Sequence, residues 1–474
     1  MRLFRSEPTG LKTTGLWLSI TQLLTGYGNK HVLNRNQLHQ YQLDMVNKAA
    51  SMDAMGLFME PGLGKTVTAL TIIAEQFEGT TLIIAPKRVA ENVWDKEIKN
   101  WKHLSKLTLS KVLGTPSQRL AALKTRSSIY IINLENLVWL LEQGKTFDNL
   151  VIDESSRFKD PSTKRFKALK KHLKGFKKRL ILTGTPSPQS TADLWAQVGI
   201  LDMGQRLETS LTKFRDKYMT PDKINRHTGV VYSYALKPGV IDQIHNTISD
   251  ICFSLQAKDY LELPECTMLY HNISLLPQET KQYETLKKDM VLSLNGEEIT
   301  APTAAVLANK LLQFTSGAIY DENGEAIPTT NAKIEFLESL MEESSAPTLV
   351  FYHFKHALLR IQAAFPEAQV LSDDNMQDWR DGKIKMLLAH PQSGGIGLNL
   401  QCNAGEIAQT VWFDLPWSSE NYIQANARVY RQGQEKPVII HHLTVEDSVD
   451  TQVVKVLGGK ISRQDALLEA LNLH

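Results

Sequence analysis

The chain has 474 residues, with 53 Lys and Arg against 51 Asp and Glu, and it is 42% hydrophobic and 22% charged. Its length predicts roughly two to four domains. The composition excludes a largely disordered chain, and a formal charge of +2 excludes a uniformly polyanion-binding one, so any nucleic-acid site has to be a local patch. Cys252, Cys266 and Cys402 lie too far apart for a disulfide scaffold or a Cys-based zinc knuckle, and they fit a reducing cytoplasm. No segment reaches the ~18 apolar residues of a membrane span. Arg2 and Arg5 are followed by Glu7 and Pro8 rather than by an apolar stretch, so no signal peptide is expected.

From about residue 50 to 200, short apolar runs alternate with helix-length patterns. "GLFME" (56–60), "TTLIIAP" (80–86), "SIYIIN" (128–133), "NLVIDE" (149–154) and "RLILTGTP" (179–186) read as strands buried on both faces, with helices over Val67–Gln76 and Val89–Trp101. Such alternation predicts an α/β domain with a parallel sheet. The stretch 200–332 is different, with helices expected over Leu211–Tyr218, Val240–Leu255, Gln278–Leu294 and Ala304–Phe314. A hairpin is expected across "NRHTGVVYSY" and a surface turn at "DENGE". After residue 333 a second α/β set follows: strands "PTLVFYH", "AQVLS", "KMLLAHP", "TVWFD" and "PVIIHHL", and helices over Lys333–Glu343, His356–Phe365 and Ser419–Val429. No repeat of solenoid period and no low-complexity tract interrupts this order.

Three motifs carry chemistry. "MEPGLGKT" (Met59–Thr66) lies between a strand and a helix, where backbone N–H groups and a helix N-terminus face an anion. Gly62 and Gly64 permit the tight turn, Lys65 reaches β- and γ-phosphates, and Thr66 holds Mg²⁺; Met59 stands where the strict phosphate-loop pattern has its first glycine. "LVIDESS" ends a buried strand with Asp153 and Glu154, placed to coordinate Mg²⁺, directly or through water, and to activate a water. "ENYIQANARVYRQGQ" spaces Gln424, Arg428 and Arg431 along one helical face or its continuation, as arginine fingers require. The Gly-rich "SGGIGLNL" (393–400) upstream is consistent with an interdomain cleft.

Taken in order, these segments resemble the Swi/Snf-type family of helicase-like ATPases, within helicase superfamily two, over most of the chain. "LHQYQLDMV" resembles the family's opening motif, whose glutamine, here Gln42, recognises adenine. "PGLGKT", "LIIAPKRVAENVWDKEIKNW", "VIDESSRFKD", "LILTGTPSPQSTADLW", "TLVFYHFKHAL", "SGGIGLNLQ" and "QANARVYRQGQ" are similar to the motifs that follow. The resemblance implies two RecA-like parallel-sheet lobes with a mainly helical insertion: an N-terminal extension (1–33), an ATP-binding lobe (34–200), an insertion and inter-lobe linker (201–332) and a second lobe with C-terminal helices (333–474). It further implies ATP and Mg²⁺ as cofactors, with ATP held by Gln42, Pro61, Gly62, Leu63, Gly64, Lys65, Thr66 and Gln424. Lys65, Asp153, Glu154, Arg428 and Arg431 would be catalytic, and Thr66 and Asp153 would serve the metal. Lys87, Arg88, Thr183, Thr185 and Asn399 are the DNA contacts it implies.

Two departures stand out. Ser155-Ser156 replaces the Ala-His that follows the acidic pair in many relatives: the carboxylates remain, so hydrolysis is expected to survive, while the histidine of the family's usual route linking nucleotide state to lobe closure is missing. Pro61 stiffens the first loop. No residues are left over for chromatin-reading modules, zinc fingers or a nuclease, so the expectation is a bare, monomeric motor of the kind bacteria and their phages carry, acting in the bacterial or phage-infected cytoplasm. Double-stranded DNA is the expected partner, with replication or repair proteins left open. Three outputs are compatible: a translocase on duplex DNA, a strand-separating helicase on DNA or RNA, and a non-hydrolysing scaffold. Arg157–Arg179, with eleven Lys and Arg and one acid, Asp160, is either a phosphate-tracking surface or a solvated helix face.

Overall fold

The computed structural model describes residues 32–459 apart from 185, 187–191, 225–230, 293–300, 395–398 and 403. Residues 1–31 of the expected N-terminal extension, the C-terminal tail from 460, Thr185 and half of the 393–400 turn therefore lie outside the described residues.

The five early apolar runs form β1 (Ala54–Met59), β2 (Thr81–Ala85), β4 (Ile129–Asn133), β5 (Asn149–Asp153) and β6 (Lys178–Thr183), with the short β3 (Leu109–Lys111) added between β2 and β4 in the chain. An antiparallel hairpin, β7 (Met219–Ile224) and β8 (Val231–Leu236), comes next, and β9 (Cys252–Leu255) returns to the sheet. The strand order is β3-β4-β2-β5-β6-β1-β9 with every neighbouring pair parallel. Because successive side chains in a strand point to opposite faces, each run feeds two cores. Leu57, Ile83, Val151 and Leu182 fill one face, and Phe58, Ile84, Ile152 and Ile181 fill the other.

The second lobe is built from β10 (Cys266–Ile273), the small hairpin β11 (Ala318–Tyr320) and β12 (Ala326–Pro328), then β13 (Thr348–Phe351), β14 (Gln369–Val370), β15 (Met386–Ala389), β16 (Ala408–Trp412) and β17 (Val438–Val445). Its main sheet runs β10-β17-β16-β13-β15-β14, again wholly parallel. The fold is thus α/β with two parallel-sheet lobes, as the alternation predicts.

Two helix expectations are corrected. Val89–Trp101 is not continuous: one helix spans Lys87–Asn92 and another Trp94–Asn100, parted at Val93. Val240–Leu255 is a helix only to Ile248, because Val240, Ile244 and Ile248 complete the apolar stripe there. Arg206 then pins the following turn, donating to both oxygens of Asp250 at 2.9 and 2.6 Å, and Cys252–Leu255 pairs with β1. The segment expected as a separate insertion is consequently divided between the lobes. Phe214, Tyr218, Ile244 and Ile248 belong to the first lobe's core, whereas β10, Tyr283, Ala308, Leu311 and Phe314 belong to the second lobe's.

A buried ion pair ties the second lobe together. Lys333 Nζ lies 2.8 Å from Asp450 Oδ2, both almost wholly buried, and also donates to the Phe413 carbonyl at 3.1 Å. Asp450 accepts further bonds from Thr315 Oγ1 at 2.9 Å and Val445 N at 3.0 Å. Removing one partner leaves a buried uncompensated charge. Asp450→Ala is therefore expected to cost about 3–5 kcal/mol, read as an earlier urea midpoint. A paired Lys333→Met/Asp450→Leu change should recover much of the loss, and equal damage from both variants would refute the charge argument.

Candidate active site

The phosphate-type loop leaves the carboxyl end of β1 and enters the helix Lys65–Gln76. Gly62 and Gly64 have φ of 94° and 74°, in the left-handed region where a side chain is strained. Gly64 has a second reason to be glycine, since a Cβ there would sit 2.3 Å from Gln42 Nε2. The loop is braced from the helix Gln40–Ala49. Gln42 Nε2 donates to the Leu63 carbonyl at 3.0 Å, Tyr41 Oη donates to the same oxygen at 3.3 Å, and Gln42 Oε1 accepts from His39 N at 2.9 Å. Lys65 Nζ donates to the Met59 carbonyl at 2.7 Å. Leu63 itself turns into the core, so only its backbone faces the loop's concavity.

β5 delivers the acidic pair. Trp94, a fully buried core residue, donates its indole N–H to Asp153 Oδ2 at 3.1 Å. Burial first, and the neighbouring Glu154 second, push the Asp153 carboxyl up to about 6, against the pull of Lys65 and the Trp94 hydrogen bond. Glu154 holds φ of 62°, a left-handed conformation that costs a non-glycine residue about 1 kcal/mol. Its Oε1 accepts from Thr183 Oγ1 at 3.1 Å. Thr183 is buried at the end of β6, which sits between β1 and β5. Thr183, expected at DNA, is buried here and belongs to the polar network of the acidic pair.

From the second lobe, the helix Ser419–Asn426 brings Gln424 to the cleft and stops at Asn426, whose Oδ1 accepts from the buried Trp412 indole at 2.9 Å. Arg428 and Arg431 therefore project from the turns after the helix rather than from its face. Gln401 Nε2 holds one of these turns through the Arg431 carbonyl at 3.0 Å, and Asn399 Nδ2 holds Gln401 Oε1 at 2.9 Å. This places Asn399 behind the Arg431 turn, within the support of the fingers.

The lobes meet here. A cleft of about 540 Å³ is lined by Gln42, Pro61, Gly62, Gly64, Lys65, Thr66, Asp153 and Glu154 from one side and by Gln424, Arg428 and Arg431 from the other. That size falls in the ordinary range for ligand pockets, about 300–1,000 Å³. A Cβ on Gly62 would touch Arg431 Cβ at 3.4 Å, and Gln432 Nε2 is 2.8 Å from His39 Nε2. Burial lowers the Lys65 ammonium, the two carboxylates oppose that shift, and Arg428 and Arg431 reinforce it. Burial, and then Arg431, lower Arg428 to about 10, with Glu154 opposing, so it remains charged at neutral pH. Burial and Arg380 lower Arg431, while Glu97 opposes. Three buried cations that repel one another share the cleft with the carboxylates of Glu97, Asp153 and Glu154, so positive groups line it without making it uniformly positive. Thr66, on the helix's first turn, and Asp153, the two residues expected to serve a divalent ion, both line the cleft. Among the described residues no cluster of three or more His, Cys, Asp or Glu could hold a metal.

Lys87 and Arg88 lie exposed at the carboxyl edge of β2, Lys87 Nζ being 3.9 Å from Glu91 Oε1. In the basic stretch, the helix Lys164–His172 buries Phe166 and Leu169 and leaves its lysines in solvent. Spacing could not reveal Trp94 as a partner of Asp153, 59 residues away. Glu420 was missed too, although it stands one helical turn before Gln424 and accepts from its Nε2 at 3.3 Å.

Two parallel-sheet lobes with a phosphate-type loop and an acidic pair on one, and an arginine pair reaching in from the other, define the architecture of a two-lobed P-loop ATPase of the helicase superfamilies. Residues 41–316 match the SNF2-related domain, and the chain belongs to this Swi/Snf-type family of helicase-like ATPases. It is 35% identical to protein p41 of Acyrthosiphon pisum secondary endosymbiont phage 1 over 455 residues, covering 91% of this chain and 98% of that protein. It is 25% identical to the Schizosaccharomyces pombe SWI/SNF chromatin-remodeling complex subunit snf22, covering 87% of this chain but 26% of that protein. The chain thus spans nearly all of the phage protein and about a quarter of the yeast one. A structure of the Sulfolobus solfataricus SWI2/SNF2 ATPase core in complex with dsDNA aligns with TM-score 0.43 and 21% identity, over 92% of this chain and 97% of that one. No helix among the described residues is long and apolar enough to cross a membrane.

Proposed function

We propose that this chain is a DNA-dependent ATPase that couples ATP hydrolysis to translocation on double-stranded DNA. The observation that carries the reading is the meeting of Lys65, Asp153 and Glu154 with Arg428 and Arg431 in one cleft between two lobes. Binding a triphosphate there offsets the mutual repulsion of the three cations. Gln42 and Gln424 face the nucleotide, with Gln42 keeping one amide hydrogen and one lone pair beyond its bonds to the Leu63 carbonyl and from His39 N for the adenine edge. Mg²⁺, when bound, supplies charge neutralisation on the phosphates, and Thr66 and Asp153 are the residues that would hold it, directly or through water. One carboxylate and one hydroxyl suffice, because Mg²⁺ is ordinarily held by one or two carboxylates together with phosphate oxygens.

Glu154 orients and deprotonates the attacking water, and Arg428 and Arg431 stabilise charge that develops on the transferred phosphoryl group. Since the two halves of the site sit on different lobes, nucleotide binding favours their closure, and hydrolysis relaxes it. Repeated closure moves one lobe along the DNA backbone relative to the other. Membership of a helicase-like ATPase family supports nucleic acid as the activator. The exposed Lys87 and Arg88 are the first-lobe residues assigned to phosphate contact, and the phage homologue supports a setting in bacterial or phage-infected cytoplasm.

The test is steady-state phosphate release at one salt concentration, without nucleic acid and with single-stranded DNA, duplex DNA or RNA, followed by triplex displacement. The salt is held constant because phosphate contacts weaken steeply with it. Stimulation by duplex DNA with triplex displacement is expected. Stronger stimulation by single strands, with displacement of a labelled strand, would replace this reading with a helicase. Absence of hydrolysis throughout would leave a scaffold.

A further inference from the structure

Ser156, three residues after Asp153, touches two carboxylates at once. Its Oγ lies 3.3 Å from Glu154 Oε1, on its own lobe, and 3.2 Å from Glu420 Oε1, which comes from the second lobe's helix Ser419–Asn426. A hydroxyl has a single hydrogen to donate. Between two ionised carboxylates it could satisfy one, leaving the other facing its lone pairs. A proton on Glu420 removes the conflict: Glu420 donates to Ser156 Oγ, and Ser156 donates to Glu154 Oε1. Gln424 Nε2 still reaches Glu420 Oε1 at 3.3 Å, and Thr183 Oγ1 completes Glu154 Oε1 at 3.1 Å.

We propose that Glu420 is a positioning residue of the hydrolytic site, supplied by the second lobe, which sets the Ser156 hydroxyl and through it the carboxylate of Glu154. This rests on the hydrolase reading above. The surroundings favour the protonated form: burial first, and Glu154 second, raise the Glu420 carboxyl, while Arg157, Lys159 and the Ser156 hydrogen bond oppose. Glu154 needs such support because its backbone is held at φ of 62°, and its side-chain direction rests on Thr183 and Ser156. Ser156 and Glu420 lie 264 residues apart, on opposite lobes. Parting the lobes withdraws Glu420, frees the Ser156 hydroxyl to rotate and loosens Glu154, so the water-activating group is aligned only while the cleft is shut. The pair thereby links lobe closure to hydrolysis without the histidine absent from "DESS".

The experiment uses the full chain with saturating duplex DNA and Mg-ATP, comparing wild type, Glu154→Gln, Glu420→Ala, Glu420→Gln, Ser156→Ala and the Ser156→Ala/Glu420→Ala double variant. Glu420→Ala and Ser156→Ala should each lower kcat about tenfold, a loss typical of a slightly misplaced reacting group, with KM for ATP within about twofold. The double variant should be no worse than either single one, as expected for residues acting in series. Glu420→Gln, whose amide N–H donates to Ser156 as the protonated acid does, should recover most of the loss. A Glu420→Ala kcat equal to wild type, additive effects in the double variant, or a Glu420→Gln variant as impaired as Glu420→Ala would each overturn the assignment while the Glu154→Gln control still tests the hydrolase. A wild-type chain that hydrolyses no ATP would overturn both together.

Discussion

Lys65→Ala is expected to remove ATP turnover, lowering kcat by about 10²–10³-fold, as loss of a preorganised charge-stabilising donor does. Phosphate release with saturating duplex DNA reads the effect. Lys65 is held toward the cleft by its bond to the Met59 carbonyl and flanked by Asp153 and Glu154. Removing the ammonium deletes a cation from the cleft lining and takes away a charge that holds the Asp153 carboxyl down. The loop itself should keep its shape, because Gln42 and Tyr41 fasten it through the Leu63 carbonyl independently of Lys65. The variant should therefore match wild type in thermal unfolding while losing turnover. Turnover near wild type would show that the loop is not a phosphate site.

Why these residues were legible in sequence, and others not, follows from how local their signals are. Gly62, Gly64, Lys65 and Thr66 act within one turn, so their spacing alone specifies the cradle. Asp153 and Glu154 end a run of apolar residues that can only be a buried strand. Strands at the sheet margins carry no such signal. β3 has three residues and β9 four, and β9 follows a helix closely enough for Val240–Leu255 to look continuous. The second lobe's edge strand β10 has an exposed stretch where Met268, Leu269 and Tyr270 face solvent, which breaks the apolar pattern.

Contacts across the fold were the other blind spot. Threonine at a strand end beside "GTP" could face outward or inward, and only the neighbouring position of β5 turns Thr183 onto Glu154. The helical spacing of Gln424, Arg428 and Arg431 picked out residues that all line the cleft, yet the helix itself ends at Asn426, whose side chain accepts from the Trp412 indole of β16.

Arg428→Ala is the second large effect expected, about a 10³-fold loss in kcat on the scale of arginine fingers. Arg428 reaches the cleft from the second lobe, and burial and Arg431 lower it only to about 10, so it carries full charge at neutral pH. Its interaction with Glu154 lies across the lobe boundary, which makes its contribution depend on closure. The elements proposed to bind the nucleotide before closure, Gln42 and the 61–66 loop, belong to the other lobe and remain intact. Nucleotide affinity, read with a fluorescent ATP analogue, should consequently change by less than about tenfold while kcat falls far more, the pattern of an interaction made mainly in the transition state. Arg428→Lys should recover little, because a lysine ammonium cannot reproduce the planar fork that engages a phosphoryl group through two N–H donors. Equal losses in nucleotide affinity and in kcat/KM would instead place Arg428 in ground-state binding, and the second lobe would then contribute to capture of the nucleotide rather than to its hydrolysis.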